Sequence, residues 1–234
     1  EQHAMYKYLE NKLPWHLRWK VRMNLPLDKK ESAHLNSFSS GVRQVSNSVH
    51  PFMPQHEGVS PKIKTAVDSL EKSHKADKNF RGIVYSNYIA GGLQDYSDEL
   101  KRRKIPHSVF TGAMTAKEKD TAKESYNNGT FPVMLISSAG TEGLDLKGTK
   151  KVQVLEPHFN NSKIKQVVGR GVRYESHAHL PKKERHVEVE HYHSVFPSGL
   201  LGKAKTHSID QYLHHNSVSK DKLNDQIDEL MNEK

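Results

Sequence analysis

The sequence of 234 residues contains no cysteine. A disulfide-bonded scaffold and a zinc site with cysteine ligands are therefore excluded. Hydrophobic residues make up only 34% of the chain, and no apolar run approaches the roughly 20 residues that a membrane span requires. A signal-peptide pattern is absent too, so we expect a soluble intracellular protein, in the cytoplasm or nucleoid, with no membrane partner. The chain opens at Glu1 without an initiator methionine, and we interpret it as a fragment.

Positive charge is in excess, with 36 lysines and arginines against 27 acids and a formal net charge of +9. This balance favours a polyanionic partner such as nucleic acid, although an ordinary solubilising charge is the alternative. Sixteen histidines are present, among them His177, His179, His191 and His193. Their spacing matches no common zinc-ligand framework, so we expect no metal site.

The chain divides into three predicted regions. Residues 1–60 are expected to be an N-terminal arm and linker, with a strand over His16–Leu25 and a helix over Lys30–Ser46. Residues 61–197 are expected to be one domain, and residues 198–234 a helical extension. From Ser208 onward the extension is amphipathic, with apolar residues at Ile209, Tyr212, Leu213, Leu223, Ile227, Leu230 and Met231.

Short apolar runs alternate with helical patterns in the middle region. The predicted strands are Gly82–Ser86, Ser108–Phe110, Val133–Ile136, Val152–Leu155 and Val187–Val189. Strands that are apolar throughout and separated by helices are typical of a parallel sheet that is covered on both faces. We therefore predict an α/β fold, in which ligands gather at the carboxyl ends of the strands.

The strongest candidate site is the run from Gln166 to Arg173, within a helix predicted over Ser162–Tyr174. Helical spacing puts Gln166, Gly169, Arg170 and Arg173 on one side. Two guanidiniums one turn apart suit phosphate oxygens, and an arginine that stabilises a transferring phosphoryl group raises its rate by roughly 10³–10⁵. The plainer interpretation is a surface helix with arginines in salt bridges.

Small and polar residues follow three predicted strands. The run Ser138–Leu146 contains Thr141, Gly143 and Asp145, and the other two are Ser86–Asn87 and Thr111–Gly112. Free backbone amides and hydroxyls in such loops can hold a phosphate backbone or a nucleotide, whereas a tight turn is the structural alternative.

One glycine-rich stretch and two acidic pairs do not qualify as nucleotide-binding motifs. Gly143–Lys150 contains two glycines at phosphate-loop spacing, but Lys150 follows Thr149 and leads into a predicted strand instead of a helix. The pairs Asp98–Glu99 and Asp228–Glu229 lie in predicted helices, so neither resembles the magnesium-holding acids at a strand end.

Together these motifs resemble the C-terminal RecA-like lobe of superfamily-two helicases. Ser86–Tyr88 looks like motif IV, Ser138–Leu146 like motif V, and Gln166–Arg173 matches the QxxGRxxR pattern of motif VI. Further stretches resemble Swi/Snf-type ATPases in particular, especially the viral, phage and prokaryotic members. They are Gly41–Asn47, Ser60–Ile63, Val152–Phe159, and Arg173–Tyr174 followed by His177–Pro181.

The resemblance implies a role for each candidate. Arg170 and Arg173 would be catalytic arginine fingers, and Gly143, Asp145, Gln166 and Gly169 would complete the ATP site. The backbone of a nucleic acid, preferably duplex DNA, would contact Ser86, Asn87, Thr111, Gly112, Ser138 and Thr141. ATP and Mg²⁺ would be held mainly by a first RecA-like lobe, which this sequence lacks, so the chain alone is expected to be inactive. An RNA helicase lobe and a non-catalytic binding or regulatory module are the alternatives.

Overall fold

The computed structural model describes residues 1–138, 144–157, 186–196 and 206–219. Its helices are α1 (Gln2–Glu10), α2 (Trp15–Arg22), α3 (Lys29–Asn47), α4 (Pro61–Ala76), α5 (Gln94–Arg102), α6 (Ala116–Asn127) and α7 (209–219). Its strands are β1 (Gly82–Ser86), β2 (His107–Phe110), β3 (Val133–Ser137), β4 (Lys151–Val154) and β5 (Glu188–His191). No described helix has the length and apolarity needed to cross a bilayer.

The five described strands form one parallel sheet in the order β2-β3-β1-β4-β5. The predicted α/β fold with a parallel, RecA-like sheet is therefore confirmed, and every predicted strand of the middle region is present. The first strand along the chain lies at the centre of the sheet, because β3 and β4 pair on either side of it.

Each face of the sheet carries its own hydrophobic core. Along β1, Ile83 and Tyr85 face a core with α6, whereas Val84 faces a second core with α4 and α5. All five residues of β1 are buried. Successive side chains of a strand point to opposite faces, so a run that is apolar throughout places helices on both faces, as predicted.

Helix starts follow the capping residues that the sequence provides. Ser60 caps α4 by accepting a hydrogen bond from the amide of Ile63, and Pro61 occupies the first turn. Thr115 and Glu118 form a reciprocal capping box at the start of α6. Such caps satisfy amides that have no partner within the helix, which fixes where each helix begins.

The segment from residue 15 to 22 is a helix, so the strand predicted over His16–Leu25 is wrong. Leu17 and Val21 are buried, whereas Trp19 and Met23 are exposed. The four apolar residues alternate as a strand would require, but each buried or exposed pair is also four residues apart, which is the spacing of one helix face. The period-two pattern alone does not distinguish the two structures.

Helices α1, α2 and α3 share a third hydrophobic core with α7. Leu35, Val42 and Val45 of α3 pack with Ile209 and Leu213 of α7. Residues from the two ends of the chain therefore form one helical unit beside the sheet. Within it, the helix predicted over Lys30–Ser46 is confirmed as α3.

A buried ion pair lies between the helical unit and the sheet. The Lys62 ammonium of α4 donates to the Asp210 carboxylate at 2.7 Å and to the Leu155 carbonyl, after β4, at 3.2 Å. The side chains of Lys62 and Asp210 are 5% and 0% exposed. Because each charge is removed from water, each depends on the other for compensation.

We predict that Lys62→Met destabilises the chain by about 3 to 5 kcal/mol, because it leaves the Asp210 carboxylate buried without its cation. Lys64→Met is the matched control. The Lys64 side chain is 64% exposed and pairs with Asp68 within one helix, so its loss costs only about 0.5 kcal/mol. Urea unfolding of both variants measures the difference. Equal stability of the two would contradict the structural role of Lys62.

Candidate functional site

The carboxyl ends of the first three strands lie together at one edge of the sheet. Ser86 is paired with Ser137, and Phe110 with Ile136. The residues that follow these strands therefore begin side by side, and five of the predicted contacts come to this edge: Ser86, Asn87, Thr111, Gly112 and Ser138. Gly112 is exposed, and Asn87, Thr111 and Ser138 are partly exposed.

Ser86 differs from its neighbours because its side chain is fully buried. Its hydroxyl lies 3.0 Å from one carboxylate oxygen of Glu156 and also bonds with the backbone of Tyr88. The described geometry gives this hydroxyl a role inside the fold. Its predicted contact with a nucleic-acid backbone remains a prediction.

Glu156 is the acceptor that organises this edge. It follows β4 and is completely buried. Its carboxylate accepts hydrogen bonds from the Ser86 hydroxyl, from the Asn87 amide and, at 2.9 Å, from the Asn47 side chain at the end of α3. Charged acceptors form stronger hydrogen bonds than neutral ones, so Glu156 fastens the loop after β1 to both β4 and α3.

The same network continues to the buried ion pair. The side-chain oxygen of Asn47 accepts from the Lys62 ammonium at 3.0 Å, so Asn47 links Glu156 to Lys62 and Asp210. Arg43 of α3 adds a second tie, because it donates to the Pro157 carbonyl and its guanidinium lies 5.6 Å from the centre of the Tyr88 ring. The helical unit is thus hydrogen-bonded to the loop after β4 and contacts Tyr88 in the loop after β1.

Tyr85 supports the loop from beneath. Its hydroxyl donates to the Asn87 side-chain oxygen at 3.0 Å. Burial, with a smaller effect of the nearby Glu156 carboxylate, raises the pKa of Tyr85 to about 12. The phenol is therefore protonated at neutral pH and keeps donating to Asn87, which fixes the position of that side chain.

Asp145 lies at the opposite edge of the sheet. Its carbonyl accepts from the Asn127 side chain at 3.0 Å, at the end of α6. The Asn127 carbonyl in turn accepts from Arg81, the residue just before β1. The Asp145 side chain is exposed, between the buried Leu144 and Leu146. The structure therefore separates Asp145 from the residues at the carboxyl ends of the strands.

Several predicted features lie outside the described residues. They are Thr141, Gly143, Gln166, Gly169, Arg170 and Arg173, the helix predicted over Ser162–Tyr174, His177, His179 and Asp228–Glu229. Their assignments remain predictions.

The glycine-rich stretch before β4 is not a phosphate-binding loop. Lys150 directly precedes the strand that begins at Lys151, and its ammonium pairs with Asp77 at 2.5 Å. A phosphate loop requires a helix at this point, so the prediction that Lys150 leads into a strand is the one that is confirmed. Asp98 and Glu99 lie within α5, also as predicted.

His191 and His193 lie near His214 of α7, and the rings of His193 and His214 stack with centres 5.1 Å apart. In the described part of the chain, no three histidine, aspartate or glutamate side chains are grouped so as to hold a metal ion. Burial, followed by the neighbouring His214, lowers the pKa of both His191 and His193. This group is a packing contact between β5 and α7.

A family model described as the helicase conserved C-terminal domain matches residues 62–175, the part of the chain that contains β1 to β4 and their loops. The chain contains the C-terminal lobe of a superfamily-two helicase. The predicted resemblance is thereby confirmed. Asn87, Thr111, Gly112 and Ser138 lie on the carboxyl edge of this helicase lobe.

Known proteins similar to the helicase lobe include a viral relative and two solved structures. A protein of Acanthamoeba polyphaga mimivirus, named as an ATP-dependent RNA helicase, is 35% identical over 178 residues. The match covers 76% of this chain and 37% of the viral protein. The C-terminal part of the Fun30 ATPase domain has a TM-score of 0.62 at 16% identity and covers 92% of this chain and 84% of its own. The Sulfolobus solfataricus SWI2/SNF2 ATPase core in complex with double-stranded DNA has a TM-score of 0.55 at 13% identity. That match covers 83% of this chain and 38% of the Sulfolobus chain.

The chain thus spans little more than a third of the length of this viral relative. The two structural likenesses show the shared fold. The Fun30 likeness includes the helical unit of this chain, since that match extends over nearly the whole chain.

Reasoning from the sequence alone did not identify the network of Glu156, Asn47, Lys62 and Asp210. The first three lie in stretches that resemble Swi/Snf-type ATPases, but that resemblance did not indicate that their side chains meet. A second signal was local, because Glu156 directly follows a buried strand, where a buried carboxylate requires several donors.

We predict that Glu156→Ala destabilises the helicase lobe by about 3 kcal/mol, because the buried Ser86 and Asn47 side chains and the Asn87 amide lose this acceptor. Glu124→Ala, an exposed position on α6, is the control and is expected to change stability by less than about 0.5 kcal/mol. Thermal unfolding of the two variants tests this. If Glu156→Ala and Glu124→Ala unfold at the same temperature, the Glu156 carboxylate does not organise the strand-end loops.

Proposed function

We propose that this chain is the second motor lobe of an ATP-dependent translocase that acts on duplex DNA. The observation that carries the proposal is the joint placement of Asn87, Thr111, Gly112 and Ser138 at one edge of a helicase lobe. Hydroxyls, amides and exposed backbone of this kind contact phosphate and sugar groups without reading bases. The net charge of +9 supports a polyanionic ligand.

In this proposal Arg170 and Arg173 act on an ATP molecule that a first lobe holds together with Mg²⁺. The two guanidiniums stabilise the charge that develops on the transferring phosphoryl group. Gly143, Asp145, Gln166 and Gly169 complete the nucleotide site, and Thr141 joins the nucleic-acid contacts. The position of Asp145, away from Asn87 and Thr111, supports two separate surfaces, one for nucleotide and one for nucleic acid.

Motion between the lobes then couples these surfaces. ATP draws the first lobe and this one together, and hydrolysis lets them part, so that the grip at the carboxyl edge shifts along the backbone. The Glu156 network supports this role, because it holds the loop after β1 firmly to the sheet and to α3. A lobe that moves as one body transmits such a shift, and we expect the protein to work as a soluble intracellular motor.

An RNA helicase lobe is the second candidate function, favoured by one observation. The mimivirus relative, at 35% identity, carries the name of an RNA helicase, whereas the structure solved with double-stranded DNA is only 13% identical. Contacts to backbone groups do not separate the two polymers. A non-catalytic module that has kept the fold is the third candidate.

We predict that Arg170→Ala and Arg173→Ala each lower kcat for ATP by about 10³ or more in a protein that joins this lobe to its first lobe. Arg102→Ala is the matched control, because that arginine is exposed and pairs with Glu99 within α5. The lobe alone is expected to hydrolyse essentially no ATP. An ATPase rate undiminished by both finger substitutions would remove the catalytic assignment.

The polymer is identified with the same two-lobe protein. We expect duplex DNA to stimulate ATP hydrolysis more than single-stranded DNA or RNA does. Thr111→Ala and Ser138→Ala are expected to raise the duplex concentration needed for half-maximal stimulation while leaving the maximal rate unchanged, because both hydroxyls lie on the binding edge. Stronger stimulation by RNA would favour the RNA helicase. No stimulation by any polymer would favour the non-catalytic module.

A further inference from the structure

A cavity of about 430 Å³ lies at the boundary between the helical unit and the sheet. The described residues of its wall belong to α1, the end of α3, the start of α4, the end of β5 with the segment after it, and the residue before α7. Pockets that bind small molecules have volumes of about 300 to 1,000 Å³ and occur preferentially where two structural units meet. The size and the position of this cavity therefore both suit a small-molecule site.

Two buried polar atoms of the cavity wall lack hydrogen-bond partners in the described part of the chain. They are the hydroxyl oxygen of Ser46 and the Nδ1 atom of His193. Ser46 as a whole is only 2% exposed. Because buried polar atoms in native proteins are nearly always paired, an unpaired hydroxyl and an unpaired ring nitrogen on one cavity indicate a ligand with polar atoms of its own.

Neighbouring polar side chains are already engaged, which distinguishes these two atoms from them. Gln2 donates to the carbonyls of Val45 and Ser46 at 2.8 and 3.2 Å. The Ser194 hydroxyl donates to the Ser46 carbonyl at 3.0 Å, and the Ser208 hydroxyl donates to the Ser194 carbonyl at 2.5 Å. These bonds join α1, α3 and the segment after β5, so the wall around the Ser46 hydroxyl is held in place by the fold itself.

Aromatic and apolar side chains form much of the remaining wall. The Phe196 ring packs edge-on against His3 and Tyr6, with ring centres 6.0 and 5.5 Å apart. Val45 and Tyr192 line the same cavity. Aromatic side chains favour edge-on or offset-stacked contacts with a further ring, so we expect the apolar part of the ligand to be an aromatic ring.

The described wall carries no uncompensated permanent charge. Lys62 is its one lysine, arginine, aspartate or glutamate, and the Asp210 carboxylate compensates the Lys62 ammonium at 2.7 Å. Burial, followed by the neighbouring His214, lowers the pKa of His193, so that this ring is neutral at neutral pH. A charged ligand would lose its hydration here without gaining a counter-ion. We therefore expect the ligand to be neutral.

We propose that this cavity binds a neutral aromatic molecule that carries a carboxamide group. The ring of the ligand contacts Phe196 and Tyr6, and its amide faces Ser46 and His193. A carboxamide has its donor and its acceptor on separate atoms. Since the hydroxyl can donate or accept, and Nδ1 donates or accepts according to the tautomer, such a group satisfies both atoms in either tautomer of His193. The bound molecule joins the helical unit to the segment after β5, and its binding does not depend on the motor function proposed above.

Benzamide is the probe that tests this site. We predict that benzamide binds the 234-residue chain saturably and raises its unfolding temperature, because a ligand of the folded state stabilises that state. Saturation-transfer NMR measures the dissociation constant. Benzoate has the same shape but is charged, and acetophenone keeps the ring and the carbonyl but lacks the amide donor. Both are expected to bind at least about tenfold more weakly.

Two serine variants of α3 separate a ligand contact from a structural role. Ser46→Ala is expected to weaken benzamide binding about fivefold without lowering the unfolding temperature of the unliganded chain, because the hydroxyl that it removes has no partner to lose. Ser37→Ala is the matched control, since Ser37 is exposed and its hydroxyl donates to the His34 carbonyl of the same helix. This control is expected to leave benzamide binding unchanged. His193→Phe keeps a ring beside His214 and is expected to weaken benzamide binding as Ser46→Ala does.

Three results would overturn the proposal. The first is the absence of saturable benzamide binding to the 234-residue chain. The second is an affinity for benzamide that neither Ser46→Ala nor His193→Phe lowers. The third is acetophenone binding as tight as that of benzamide, which would remove the carboxamide. None of these measurements requires ATP or nucleic acid, so their outcome is independent of the test of the motor function.

Discussion

The buried pairing of Lys62 with Asp210, extended through Asn47 to Glu156, is the interaction on which the architecture depends. The sheet and the helical unit have separate hydrophobic cores, and apolar contact does not prescribe how they are oriented. A buried polar network does prescribe this orientation, because a donor or acceptor that is left without a partner in the low-dielectric interior costs free energy. The helices at the two ends of the chain are thereby held in one orientation relative to the strand-end loops.

Much of the fold could be predicted from local patterns. The run at Val133–Ile136 is apolar throughout, which is typical of a strand covered on both faces. The Ser60–Pro61 start of α4 follows from the chemistry of its two residues. Helix α2 could not be predicted in the same way, because Leu17, Trp19, Val21 and Met23 satisfy periods of both two and four. Tertiary packing determines which period applies, because it buries Leu17 and Val21 on one face of a helix.

The site was predictable where topology alone determines position. Once the sheet is parallel, Asn87, Thr111 and Ser138 must share an edge, since all three follow strand ends. The network beneath them was not predictable, because Asn47 is 109 residues from Glu156 and Lys62 is 148 residues from Asp210. Single-residue chemistry carries no information about such pairs. The burial of Ser86 likewise depends on the Glu156 carboxylate.

The wide separation of Ser138 and Asp145 has a mechanical consequence. Asp145 lies only seven positions after Ser138, and a chain of that length reaches about 25 Å at full extension. The distance between the carboxyl edge and the end of α6 is therefore bounded by covalent bonds, whatever conformation the intervening residues adopt. If Ser138 moves further from Asp145 than the fully extended segment allows, Asp145 must move with it. Chain length itself limits how independently the carboxyl edge and the end of α6 can move.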